Sequence, residues 1–428
     1  MRRVRRRGTF RGGDSTADAG AVPWQLSFCP STAYHTIKPC VAPRFQTLRL
    51  ADVDSSPRAI TISKWCASVT CEPGVLPTST WETAPIQPSE RESRRDKRRG
   101  LVSLGLIGAG AVWERRYRPV LSRMAQRLTV RAVYDPVPAR AQLAAAEWNA
   151  SLASGLRQLI ERSDIHGVLI LDPDWMGLVP ADFACAAGKP AFLAGSLGDD
   201  LDAIRALHHR AHDVNVLLMT EFSRRHTPAT IRLRELMATR LGSVRRISIR
   251  APLPRREALP GERVHTDFLV GLLDWCVYLT GRIPSFVSAQ PLGPCAAEQS
   301  GWKVQLGFRR GGQEQWVATA DIQVLPAAEG PAAGNHVVHE VECEHGFAST
   351  SQPTEIIWGN ADVGRAVESL VADRSEAEVL LDKFCRRLLG GLVPTADVLD
   401  VCRGLALARA VEASLRSGHP AEGPWDGV

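Results

Sequence analysis

The chain has 428 residues, 44% hydrophobic and 23% charged, enough for two or three domains and a substantial core. No apolar run approaches the ~18 residues of a membrane-spanning helix, so no such helix is expected. The formal charge of +6 is unevenly placed: residues 1–100 hold 17 Lys/Arg against 9 Asp/Glu, and the remainder 35 against 37. A near-neutral remainder argues against a nucleic-acid-binding core.

Residues 1–100 open MRRVRRRGTFRGG, end SERESRRDKRRG and hold nine prolines without a sustained helical or strand period. Disorder is the default reading of such a segment. Early Asp14 and Asp18 argue against a transit peptide, and no apolar stretch follows as a signal peptide needs. A second reading starts the natural chain at Leu101 or Val102. A third has the basic segment bind nucleic acid or acidic membranes. Ten scattered cysteines point to a reduced, cytoplasmic compartment, and the loose set Cys29, Cys40, Cys66 and Cys71 makes a poor zinc site.

Val102, Leu104, Leu106 and Ile107 form a buried first strand that breaks into Gly108-Ala109-Gly110. A strand turning on close glycines into a helix, here Glu114–Arg127, is a cradle for a dinucleotide pyrophosphate. The backbone approaches the anion closely, and the free N–H groups of the helix start, from Ala111 and Val112, face it. The third small position of that pattern is Trp113, which either fills the pocket or packs away from it.

Strands and helices then alternate: Leu128–Tyr134, helices Val137–Trp148 and Gly155–Ser163, Gly167–Leu171, helix Val179–Ala187, Pro190–Leu193, helix Leu201–Ala211, Val214–Met219. This rhythm predicts a doubly wound parallel sheet. After a helix at Pro228–Thr239 come strands Val244–Arg250, Phe286–Gln290, Trp302–Phe308, Gln315–Val324 and Val337–Cys343. They predict a second α/β domain with an open, mostly antiparallel or mixed sheet. Helices Ala377–Leu389 and Thr395–Arg416 close the chain. The expected domains are a Rossmann domain at 101–222, a substrate and oligomerisation domain at 223–421, and a tail at 422–428.

In this order, GLIGAGAVWERRYRPVL, SDIHGVLILDPDW, AAGKPAFLAGSL, LLMTEFSRRHTPATIRLRELM, DFLVGLLDWCVYLTG and TADVLDVCRGLALARAVEASLRSG resemble the Gfo/Idh/MocA family of NAD(P)-dependent oxidoreductases. The resemblance runs from about Leu101 to Ala421. It implies cofactor contacts at Gly108, Gly110, Ala111, Val112, Asp135, Asp172 and Pro173. It also implies a sugar, polyol or cyclitol substrate and a homo-oligomer. The family's catalytic lysine falls on Gly195 and its histidine on Gly271, so the acid–base set is degraded. Two readings follow: an oxidoreductase with altered residues, or a non-catalytic NAD(H)-binding sensor or scaffold.

Asp135 stands 25 residues after Gly110, near the spacing of an acid on the ribose 2′-hydroxyl, which favours NAD over NADP; the alternative is a cap before Pro136. Asp267 reads as a helix cap or as an orphaned catalytic carboxylate. His265 reads as a solvated residue rather than a replacement base. Arg224 and Arg225 hold an anionic substrate or make a domain-linking salt bridge, and Asp274 is a second substrate candidate. His208, His209 and His212 read as surface residues, and no metal site is expected.

Overall fold

The structure, a computed structural model, describes residues 100–171, 176–253, 263–292, 301–309, 316–326, 336–371 and 373–425, without the side chains of residues 263–265. All lie in one compact unit, Trp81–Val428. The basic segment 1–99, its four cysteines, Asp172, Pro173 and the His265 side chain lie outside the described residues.

The first sheet has the order β3-β2-β1-β4-β5-β6, all parallel. Its strands are β1 (Val102–Ile107), β2 (Leu128–Tyr134), β3 (Ser151–Leu152), β4 (Gly167–Ile170), β5 (Ala191–Leu193) and β6 (Leu218–Thr220). All six residues of β1 are buried, as an interior parallel strand covered on both faces requires. The chain reverses at the centre, where β1 sits between β2 and β4. That is the switch point at which open α/β sheets bind ligands.

A π-helical turn at Trp113–Tyr117 precedes α1 (Arg118–Arg123). The turn lets Trp113 and Tyr117 both enter the core, where Trp113 meets Trp148 edge-on at 6.2 Å. Then come α2 (Pro138–Trp148), α3 (Leu156–Ile160), α4 (Val179–Ala186), α5 (Leu201–Asp213), α6 (Pro228–Leu236) and α7 (Arg263–Thr280). β6 starts later than the sequence predicts. α5 runs on to Asp213, and Asn215 adopts φ +53° in the turn that follows.

The second sheet has nine strands in the order β14-β13-β12-β11-β7-β10-β9-β8-β15. They are β7 (Val244–Pro252), β8 (Phe286–Leu292), β9 (Gly301–Arg309), β10 (Trp316–Leu325), β11 (Val338–Cys343), β12 (Gly346–Gln352), β13 (Glu355–Asn360), β14 (Gly364–Ser369) and β15 (Ala421–Glu422). β7 and β10 pair in parallel and the other neighbours antiparallel, so the sheet is mixed. The meander β12–β14 is additional to the predicted strands.

The chain then returns to the first sheet. In α8 (Glu376–Leu388), Phe384 packs on Phe192 of β5 at 5.8 Å, and Phe192 meets Tyr117 at 5.7 Å. α9 (Val398–Ser417) starts on a capping box from Asp397 and Asp400. Just before it, the Ala396 carbonyl accepts from Thr220 N–H at 3.1 Å and the Asp397 carbonyl from Thr220 Oγ1 at 2.9 Å. One apolar core runs from Leu193 and Phe222 through Leu272 and Trp275 to Ile247 and Ile322, so the α7 region is packed from both sheets.

Candidate active site

The glycine turn sits at the end of β1. Gly108 adopts φ +88°, a region open to glycine and strained for other residues. Ala109 N–H donates to Asp135 Oδ2 at 2.7 Å, and Val137 N–H donates to Asp135 Oδ1 at 2.7 Å. Asp135, only 7% exposed, thus clips the turn to the end of β2 and caps the loop leading to α2. Ala111 is exposed and Val112 partly so, leaving the helix start open. The Trp113 ring is 1% exposed and packed against α2, so it does not fill the cradle. Small residues, a positive-φ glycine, an open helix start and a carboxylate at the neighbouring strand end fit a dinucleotide. Arg116 ties this helix to the end of β6, with Nη2 2.6 Å from Glu221 Oε1 and 2.6 Å from Ser223 Oγ.

Beyond β5 the chain passes through Gly195 at φ +91°. The position matched to the family's lysine therefore has a backbone that only glycine adopts cheaply. The next residue, Ser196, accepts from Gly198 N–H at 3.1 Å and donates from Oγ to Asp267 Oδ1 at 3.1 Å. This bond joins the β5 loop to α7 across 71 residues and sets an exposed carboxylate beside that loop.

One turn further along α7, Gly271 stands where the family's histidine falls. A Cβ added there meets Arg224 Nε at 3.6 Å, so Arg224 borders the space that a side chain at 271 would enter. Arg224 and Arg225 lie together in the 3₁₀ turn Ser223–His226 but meet opposite surroundings. Arg225 is buried with Asp274: Nε donates to Oδ2 at 2.8 Å and Nη2 to Oδ1, while Nη1 reaches Asp400 Oδ2 at 3.3 Å. Both carboxylates hold the Arg225 guanidinium charged, and burial pushes the Asp274 carboxyl up to about 6 despite the pairing. Both residues, at 9% and 4% exposure, are thus engaged with each other and fix the turn to α7.

Arg224 has no acidic partner among the described residues. Its guanidinium lies 5.4 Å from the Phe268 ring, and desolvation alone lowers its pKa. Close by, in β11, lies His339, a residue the sequence reading missed. Its Nδ1 is 3.2 Å from Thr350 Oγ1, its ring is 4.3 Å from that of Trp275, and its buried Nε2 has no partner among the described residues. Burial, reinforced by the Arg224 charge, drives its pKa down to about 3, so the imidazole is neutral at neutral pH. Nothing in the alternating strand around 339 marked it out, and only the fold brings it near Arg224.

His208, His209 and His212 lie on α5 with ring centroids 5.6 and 6.3 Å from His208. Among the described residues no group of three His, Cys, Asp or Glu is placed to hold a metal ion, and no helix is long and apolar enough to cross a membrane.

No curated protein matches the chain. Among solved structures, levoglucosan dehydrogenase in complex with NADH and levoglucosan is similar at 17% identity and a TM-score of 0.63, covering 76% of this chain and 100% of its own. UDP-N-acetylglucosamine 3-dehydrogenase GnnA from Acidithiobacillus ferrooxidans is similar at 19% identity and a TM-score of 0.61, covering 74% and 98%. At such identities these likenesses carry the fold. Residues 102–222 also match the family model of Gfo/Idh/MocA oxidoreductases with an NAD-binding Rossmann fold. Residues 102–222 are thus shown to be a Gfo/Idh/MocA-type NAD-binding Rossmann domain.

Proposed function

We propose that this protein is an NAD-dependent oxidoreductase acting on a hydroxyl of a sugar- or polyol-type substrate, with Asp267 accepting the hydroxyl proton. The Ser196–Asp267 hydrogen bond carries this reading, because it puts a carboxylate beside the β5 loop although positions 195 and 271 bear no side chain.

Gly108, Gly110, Ala111, Val112 and Asp135 would hold the cofactor, with Asp172 and Pro173 as further contacts by resemblance. Bound there, the nicotinamide supplies the hydride acceptor. The negative Asp135 favours an unmodified ribose and opposes a 2′-phosphate, hence NAD over NADP. Ser196 spends its proton on Asp267 and so orients that carboxylate. A substrate hydroxyl delivered to Asp267 has an acceptor for its proton, and the reverse reaction has a donor. The named substrates of the similar structures, levoglucosan and UDP-N-acetylglucosamine, support a carbohydrate hydroxyl as the reacting group. The non-catalytic reading rests on Gly195 and Gly271, and the Ser196–Asp267 pair tells against it.

The test is titration of the full-length protein with NADH and NADPH, read by nicotinamide fluorescence, followed by a sugar and polyol screen for NAD⁺ reduction. Saturable binding, tighter for NADH, is expected. Asp267→Asn should abolish turnover while leaving NADH affinity intact. Absence of NADH binding, or full turnover by Asp267→Asn, overturns the proposal.

A further inference from the structure

We propose that Arg224, with His339 behind it, is a recognition site for a carboxylate, so that the substrate is an acidic sugar or polyol rather than a neutral one. The inference rests on the proposed dehydrogenase function for its setting, but its observations are independent of the cofactor.

A guanidinium held partly out of water without a counter-charge is costly, and Arg224 is half-buried. The adjacent Arg225 shows the usual solution, with two carboxylates on one guanidinium. Arg224 has Phe268 on one side and the side-chain-free Gly271 on the other, and no anion among the described residues. The absence of a side chain at 271 keeps the approach to Arg224 Nε open: a Cβ is accommodated at 3.6 Å, but a longer side chain would run into the guanidinium.

His339 adds a second orphan. Its Nδ1 contact with Thr350 Oγ1 can be made by either tautomer of the neutral ring, and its Nε2 is buried without a partner among the described residues. The fork of guanidinium N–H groups matches the two oxygens of a carboxylate, and one unmatched positive charge calls for a monoanion. A phosphate ester would bring up to two charges and more acceptors than these donors satisfy. Asp267 lies four residues before Gly271, hence one helical turn of about 6 Å away and on the same face of α7. A substrate anchored at Arg224 by its carboxylate can therefore present a hydroxyl a few carbons away to Asp267.

The test compares acid and neutral twins, D-gluconate with sorbitol and D-glucuronate with glucose, by calorimetry on the full-length protein without cofactor. The acids are expected to bind at least tenfold more tightly. Arg224→Met should remove that preference, Arg224→Lys should retain part of it, and NADH affinity should stay unchanged in both. Because Arg224→Met removes a half-buried cation with no acidic partner among the described residues, its Tm without ligand should rise; a structural partner would lower it. Acids binding no better than their twins, a preference that survives Arg224→Met, or a Tm that falls in that variant overturns the assignment. Tighter binding of sorbitol 6-phosphate than of gluconate overturns the choice of carboxylate. Loss of NADH binding with the acid preference intact would instead strike the cofactor reading alone.

Discussion

The glycine-turn end of the site and its α7 wall treat polar groups in opposite ways. At the turn, both Asp135 oxygens accept backbone N–H groups, and Arg116, Glu221 and Ser223 close a network of their own. Beside α7, the half-buried Arg224 guanidinium rests on Phe268 without an acidic partner, and His339 Nε2 is buried without a hydrogen bond, among the described residues. A satisfied network fixes a shape before any ligand arrives, which suits a cofactor bound the same way at each turnover. Unsatisfied groups instead mark where binding energy is still to be gained, which suits the molecule that must be selected.

Four predictions break or sharpen this contrast. The largest effect is expected from Asp274→Ala, which makes Arg225 nearly as unpaired as Arg224. Breaking a buried pair from one side costs about 3–5 kcal/mol, and urea unfolding should show a loss of that size. Removing Asp400 with Asn should cost less, since it leaves the bidentate Asp274 contact in place.

Acid should come next. His226 and His339 both have pKa values pushed down to about 3 by burial. Above about 6.5 each is neutral folded and unfolded, and contributes nothing to the pH dependence. Below it the unfolded chain takes up protons that the folded state refuses, so stability falls as pH drops from 6.5 towards 3. The limiting slope is about 1.4 kcal/mol per pH unit for each histidine. Thermal melts across that range should show the fall, and His339→Gln should flatten it.

Asp135→Ala tests the satisfied end. Removing the acceptor for Ala109 N–H and Val137 N–H should weaken NADH binding about tenfold, roughly 1.4 kcal/mol, and narrow the preference over NADPH. Unchanged affinity in a fluorescence titration would remove Asp135 from the cofactor site. The smallest effect is expected from Gly271→Ala, which fits in ordinary contact with Arg224 and gains up to about 1 kcal/mol of helix propensity. Gly271→His should instead displace the Arg224 side chain and abolish the acid preference.

Much of the architecture was legible because strand and helix periods alternate cleanly through residue 213. The β12–β14 meander was not, since stretches such as Gly364–Ser369 are polar, half exposed and lack a steady alternation. At the site, the glycine turn and Asp135 announced themselves by spacing, but the use of the Asp135 carboxylate to hold Ala109 did not. For Arg224 and Arg225 the sequence offered two roles, substrate anchor and salt bridge, without assigning them. Only the packing of α7 and the start of α9 brings Asp274 and Asp400 to Arg225 and leaves Arg224 without either. His339 was invisible because its neighbours come from other segments, Thr350 on β12 and Trp275 on α7.

The backbone at Gly195 limits what one substitution there can do. At φ +91° a lysine would carry the strain of a left-handed conformation, roughly 1–2 kcal/mol before any gain in chemistry. A single Gly195→Lys substitution therefore does not by itself set a lysine in place, because the loop between β5 and α5 would have to turn differently as well. Reinstating that residue is a change of backbone as much as of side chain.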